Sequence, residues 1–155
     1  MKTVEPGAVL RGALAGLLVI VPLTALRAVI DHETGDFDAT GWVVVFGLGL
    51  LLAYVLAGAV AAYRAPATPL SNGTLAGLGA FVLWLPLRVL IWVARSESQG
   101  LFTGSEPVFT AGQIFGQLVF AAAFGLIGGF IGARMVRTAR VGDDDGAGSA
   151  VPPRG

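Results

Sequence analysis

Apolar residues in this chain fall into four continuous runs, separated by short segments that hold most of the charge. The runs cover about 8–30, 42–63, 75–93 and 111–135. Each is close to the ~20 apolar residues that a helix needs to cross the hydrocarbon core of a bilayer. They are continuously apolar rather than alternating, so they predict spanning helices and not barrel strands. The fold class expected is all-α, a four-helix transmembrane bundle. Residues 1–140 form one membrane domain. Residues 141–155, VGDDDGAGSAVPPRG, carry too little apolar surface to pack, and predict a disordered cytoplasmic tail.

The runs are related to one another. With a shift of 61, Gly12, Leu14, Ala15, Gly16, Leu17, Val21, Leu26, Arg27 and Ile30 fall on Gly73, Leu75, Ala76, Gly77, Leu78, Val82, Leu87, Arg88 and Ile91 without a gap. A shift of 70 places Gly58, Ala62 and Arg64 on Gly128, Gly132 and Arg134. The bundle therefore reads as a tandem duplication of a two-helix hairpin. Each unit has an even number of spans, so the halves share one orientation and predict a pseudo-two-fold along the membrane normal.

Charge orients the bundle. Lys2, Arg11, Arg64, Arg134, Arg137 and Arg140 gather at one end, whereas the connection 31–41 has Asp31, Glu33, Asp36 and Asp38 and no Lys or Arg, and the connection 94–110 has Arg95 with Glu97 and Glu106. By the positive-inside rule the basic end, with both termini, is cytoplasmic, in a multi-pass protein of the plasma membrane. Below, "inner" means this basic end and "outer" the other. Trp42 and Trp92 mark the outer boundary, and Pro66, Pro69, Ser71, Asn72 and Gly73 predict a tight inner turn. Lys2 and Arg11 before an apolar run resemble the start of a signal peptide. The run is longer than a usual ~7–15-residue core, and its copy lies mid-chain, so a retained span is expected.

Composition narrows the function classes. The chain is 55% hydrophobic and 13% charged, with 23 glycines, no cysteine and a net charge of zero. Its mean hydropathy is +0.78. No basic excess points to nucleic acid, and thiol or cysteine-ligated metal chemistry is excluded. The expected surroundings are the lipid bilayer, with no cofactor and no metal.

Glycine spacing supplies the packing hypothesis. Small residues let helices approach closely in lipid, where no hydrophobic drive exists between them. Gly12 and Gly16, Gly73 and Gly77, and Gly128 and Gly132 form seams of this kind. Packing inside the bundle is their first expected use, and homo-oligomerisation the second.

Three polar residues inside spans form the candidate site. Arg27 and Arg88 occupy matched repeat positions, eleven residues after Gly16 and Gly77, which returns them to nearly the same helix face. Gln117, eleven before Gly128, is expected near Arg88 in depth. Together Arg27, Arg88 and Gln117 would suit an anion or a lipid phosphate in the outer leaflet. Asp31 is placed to pair with Arg27, and Trp84 and Trp92 to lie against Arg88. The alternative is that the arginines only snorkel and set helix depth.

No Asp or Glu lies inside a span, which disfavours proton-coupled transport. His32 with Asp31 and Glu33 reads as a solvated loop, and Ser96, Ser98 and Ser105 have no partner base. No helix carries a nucleophile with a base, so an enzyme is not expected. The openings Gly12-x-Leu14-Ala15-Gly16-Leu17 and Gly73-x-Leu75-Ala76-Gly77-Leu78, with the closings Gly58-xxx-Ala62-x-Arg64 and Gly128-xxx-Gly132-x-Arg134, resemble small four-span integral membrane proteins of actinobacterial type. That resemblance implies a four-span fold, no particular activity and no site residues. The expected function is a structural or interaction role. The alternative is a small oligomeric channel or transporter with an anion or lipid-phosphate site.

Overall fold

The computed structural model describes residues 3–34, 41–94 and 110–147, apart from the side chains of 31, 32, 34, 94 and 140–147. Four helices account for almost all of it: α1 (Pro6–Thr34), α2 (Trp42–Arg64), α3 (Pro69–Ala94) and α4 (Ala111–Ala147). All four are long and apolar enough to cross a membrane. In lipid a helix is the conformation that satisfies every backbone group within its own segment.

The helix ends follow local chemistry. Glu5 precedes Pro6, and its carbonyl accepts from the Ala8 and Val9 N–H groups at 3.0 and 3.1 Å. Proline suits the first helical position because its missing N–H would be unpaired there anyway. The same logic moves the start of α3. It begins at Pro69, so Ser71, Asn72 and Gly73 lie in the first turns of the helix and not in a loop. Thr68 closes that end by accepting from the Asn72 N–H at 3.1 Å. Ala65 stops α2 at φ −130° and ψ 70°, outside the helical region disfavoured before a proline. Thr110 and Gln113 form a capping box at α4: the Gln113 N–H donates to Thr110 Oγ1, and the Thr110 N–H to Gln113 Oε1, both at 3.2 Å. At its far end α4 runs to Ala147, into the segment read from sequence as a tail.

Both α2 and α3 touch all the other helices, whereas α1 and α4 do not meet among the described residues. The bundle is thus a rhombus with α2 and α3 on its short diagonal. Its core is confined to the inner half and the middle of the bundle. The buried apolar residues are Ala8, Ala13 and Ile20 of α1, Ala53, Tyr54, Ala57, Ala61 and Ala62 of α2, Ala65 after it, Ala76, Ala80 and Phe81 of α3, and Ala121 of α4. None of the described residues in 21–30, 42–52, 82–93 or 111–120 is buried. The helices touch closely at the inner end, and their outer halves are only partly covered.

Candidate functional site

Glycine geometry explains the closed inner half. A Cβ at Gly58 would run into the Gly125 carbonyl oxygen and stand 3.0 Å from Gly125 Cα; a Cβ at Gly128 would run into the Val55 carbonyl. Here α2 and α4 meet backbone to backbone. Adding 70 to Val55 and Gly58 gives Gly125 and Gly128, so these two contacts are reciprocal under that offset. Gly132 faces α2 as well, 2.5 Å from Ala59 O and 3.0 Å from Ala62 Cβ on the same measure. Gly73 and Gly77 face α4: a Cβ at Gly73 would lie 2.6 Å from Gly129 Cα, and one at Gly77 would lie 3.0 Å from Gly125 Cα. Gly12 and Gly16 face the groove between α2 and α3, with Ala61 and Ala76 Cβ at 2.8 and 2.9 Å from Gly12, and Ala57 and Ala80 at 3.0 and 3.1 Å from Gly16. All six seam glycines are therefore at helix contacts. Gly58, Gly125 and Gly129 complete them.

The α2–α4 contacts are reciprocal under the offset of 70, but the contacts of α1 and α3 are not alike. Helix α3 packs on α2, whereas its repeat mate α1 does not reach α4. The difference shows at one matched pair. Arg11 is exposed, while its counterpart Asn72 is fully buried. Asn72 Oδ1 accepts from the Glu5 N–H at 3.1 Å, and its Nδ2 donates to Thr68 Oγ1 at 2.9 Å. A buried amide is stable only when its polar atoms are paired in this way. Asn72 thus ties the start of α1 to the α2–α3 turn. The sequence pattern marked Asn72 as a turn residue and missed this role; the signal was an amide one residue before the second seam.

The outer half holds the three candidate site residues. Helices α1 and α3 run side by side: Gly12 meets Ala76, Gly16 meets Ala80, and the Trp84 Nε1–H donates to Thr24 Oγ1 at 3.2 Å. These offsets of 60 to 64 bring Arg27 level with Arg88, one turn beyond Thr24 and Trp84. Thr24 Oγ1 in turn donates to Ile20 O at 2.8 Å, and Trp84 stacks on Phe81 at 6.0 Å. On α1, Arg27 projects about 40° from Leu23 and about 60° from Thr24. Leu23 reaches α2 at Gly49, and Thr24 reaches α3. Arg27 is nevertheless exposed and Arg88 half-buried, because the helices do not close at this level. Both arginines interact with other residues.

Gln117 stands apart from them. The contacts Gly73–Gly129 and Gly77–Ala121 set the α3–α4 register, with residue numbers summing to about 200. Residue 112 is then opposite Arg88, and Gln117 lies about 7 Å further in at ~1.5 Å per residue. Gln113 is the amide at the level of Arg88, and it is held by the α4 capping box. Gln117 itself is half-buried, one turn above Ala121 on the side of α4 that meets α3.

Asp31, the partner proposed for Arg27, and His32 have side chains outside the described residues, as do Ser96, Ser98, Ser105 and Asp36 entirely. Among the described residues no group of three His, Cys, Asp or Glu side chains is placed to hold a metal. No family model matches the chain, and neither a curated protein nor a solved structure shows significant similarity to it.

Proposed function

We propose that this chain is a non-enzymatic integral membrane protein with a structural or interaction role, held together by its glycine seams, in the plasma membrane with both termini cytoplasmic. The observation that carries this reading is the uneven closure of the bundle. Backbone contact among α2, α3 and α4 leaves no space for water or an ion between them at Gly58, Gly77, Gly125 and Gly128. A bundle sealed at this depth is suited to anchoring and to presenting its open outer half, and not to conduction through a single chain. Because the six seam glycines are already engaged within one chain, they favour internal packing over self-association. The non-enzymatic assignment rests on the sequence, in which no helix carries a nucleophile with a base.

A second reading keeps one observation in its favour. Arg27 and Arg88 stand level on neighbouring helices joined by the Trp84–Thr24 hydrogen bond. Two guanidinium groups at one depth suit an anion or a lipid phosphate, and an oligomer could place such a site along a channel or transport path. Liposome flux separates the two. Reconstituted wild type passing no anion, with Arg88→Gln expressed and folded like wild type, is the outcome expected of the structural role. Anion flux that Arg88→Gln abolishes would replace it with the channel.

A further inference from the structure

Helix α4 outlasts its neighbours. Ala62 meets Gly132, and the same offset of 70 puts Arg134 level with Arg64, the last residue of α2. From Arg134 to Ala147 the helix continues for thirteen residues, about 20 Å, past the end of α2. At this step lies a shallow, open groove on α4 alone, lined by Phe130, Ile131, Arg134, Met135, Thr138 and Ala139. Gly128 and Gly132 face α2 and Gly129 faces α3, so Arg134, two residues and about 200° past Gly132, points away from the bundle and into lipid.

The Arg134 side chain does not extend toward the water beyond the inner boundary. Its guanidinium lies over the Phe130 ring, 4.8 Å from the centroid, one turn back toward the bilayer. The ring takes up one face of the planar cation, while the N–H groups point outward around its edge. Apolar side chains line the groove along its length: Phe130 and Ile131 on its bilayer side, Met135 level with Arg134, and Ala139 beyond it. The Thr138 hydroxyl, which already donates to Arg134 O at 3.1 Å, lines the headgroup side. Arg137, also exposed, adds a second positive charge one turn on.

We propose that this groove is a binding site for an acidic phospholipid of the inner leaflet, its phosphate bound by Arg134 and its acyl chain lying along Phe130 and Ile131. Guanidinium binds phosphate through paired N–H donors, and a phosphate supplies the counter-charge that a cation on a lipid-facing wall requires. Charge and apolar surface lie side by side here: the guanidinium sits over Phe130 with Ile131 beside it, so a phosphate bound to Arg134 would have apolar surface next to it for an acyl chain. This site is separate from Arg27 and Arg88, which lie at the opposite end of the bundle.

The test uses the full chain in mild detergent, with phosphatidylglycerol or phosphatidylcholine added and retained lipid counted by native mass spectrometry. Wild type is expected to retain phosphatidylglycerol in preference. Arg134→Gln should lower that preference about fivefold, the effect of one basic residue at an anionic surface. Arg64→Gln, at the same depth but outside the groove, should lower it less than twofold. Excess inorganic phosphate should not displace the lipid. Equal retention of the two lipids by wild type would overturn the proposal. So would equal losses in the two variants, which would mean diffuse surface charge, and so would displacement by phosphate, which would mean a site for soluble anions. Both substitutions replace exposed side chains, and a melting curve for each confirms that a lost preference is not a lost fold.

Discussion

Replacing Gly58 by alanine tests the sealed inner half most sharply, because the atoms it would strike cannot move alone. The new Cβ would press on the Gly125 carbonyl oxygen and stand 2.8 Å from the Gly125 carbonyl carbon and 3.0 Å from its Cα. Ordinary contact begins near 3.4 Å, so the carbon clash alone requires a retreat of about 0.6 Å. Every one of these atoms is backbone, so α4 must retreat as a body. That movement also opens the packing of Gly128 on Val55, Gly132 on Ala59 and Gly125 on Gly73. A gap of 0.5–1 Å forfeits roughly a quarter to a half of the dispersion attraction between facing atoms. Overpacking of this kind costs about 1–3 kcal/mol, and the number of shared contacts places Gly58→Ala toward the upper end. Gly47→Ala in the same helix is the control, since nothing lies within 4 Å of that position; its effect should stay within about 0.5 kcal/mol. Unfolding in mixed micelles, followed by circular dichroism, measures both. Gly128→Ala provides an internal check, because a Cβ there would press on the Val55 carbonyl as one at Gly58 presses on that of Gly125, and it should cost the same as Gly58→Ala to within about 0.5 kcal/mol. If Gly58→Ala is as mild as Gly47→Ala, then α2 and α4 are not in backbone contact and the argument fails.

Other substitutions probe separate features. Asn72→Ala leaves the Glu5 N–H without its acceptor and should cost about 1–3 kcal/mol, with faster hydrogen exchange at Glu5 as the specific sign. Trp84→Phe and Thr24→Val should each weaken the outer α1–α3 contact, and their double-mutant cycle should give a coupling of about 0.6 kcal/mol, the mean for such bonds between membrane helices. Zero coupling would place Trp84 away from Thr24. Thr110→Ala removes one arm of the α4 capping box and should cost about 1 kcal/mol, partly recovered by Asn or Ser at the same position.

Much of the bundle was legible in the sequence because its signals are local. Four apolar runs gave four helices, and the spacing of Gly12 with Gly16, Gly73 with Gly77 and Gly128 with Gly132 named the residues that touch. Which helix each seam meets was not legible. A small-residue stripe states that something comes close, but not what, and the repeat misleads here: Gly12 and Gly16 face a groove between two helices, while Gly73 and Gly77 face one. Depth across antiparallel helices was equally hidden. Gln117 was placed beside Arg88 by counting along α4 alone, whereas the level of a residue depends on the register between helices, which the Gly73 and Gly77 contacts fix. Arg27 fell on the expected side of α1 but is exposed, because helical angle says nothing about whether neighbouring helices close at that height. The burial of Asn72 was missed because an amide beside prolines reads as a turn. Its repeat mate Arg11 gives no hint that the two positions differ.

The uneven closure of the bundle can be measured directly, since the chain has no cysteine of its own. Single cysteines at Ala57 in the inner half and Ala121 in the middle of the bundle, and at Thr24 and Gln117 in the outer half, would be treated with a water-soluble thiol reagent in native membranes and again in mild detergent. Ala57 and Ala121 are fully buried, whereas Thr24 and Gln117 are half-buried in the outer part of the bundle. Protection at Ala57 and Ala121 in membranes and in detergent alike, with Thr24 and Gln117 labelled in detergent, is the predicted result. Labelling at Ala57 and Ala121 at rates matching those of the outer positions would mean a water path through the seams, and would contradict the account.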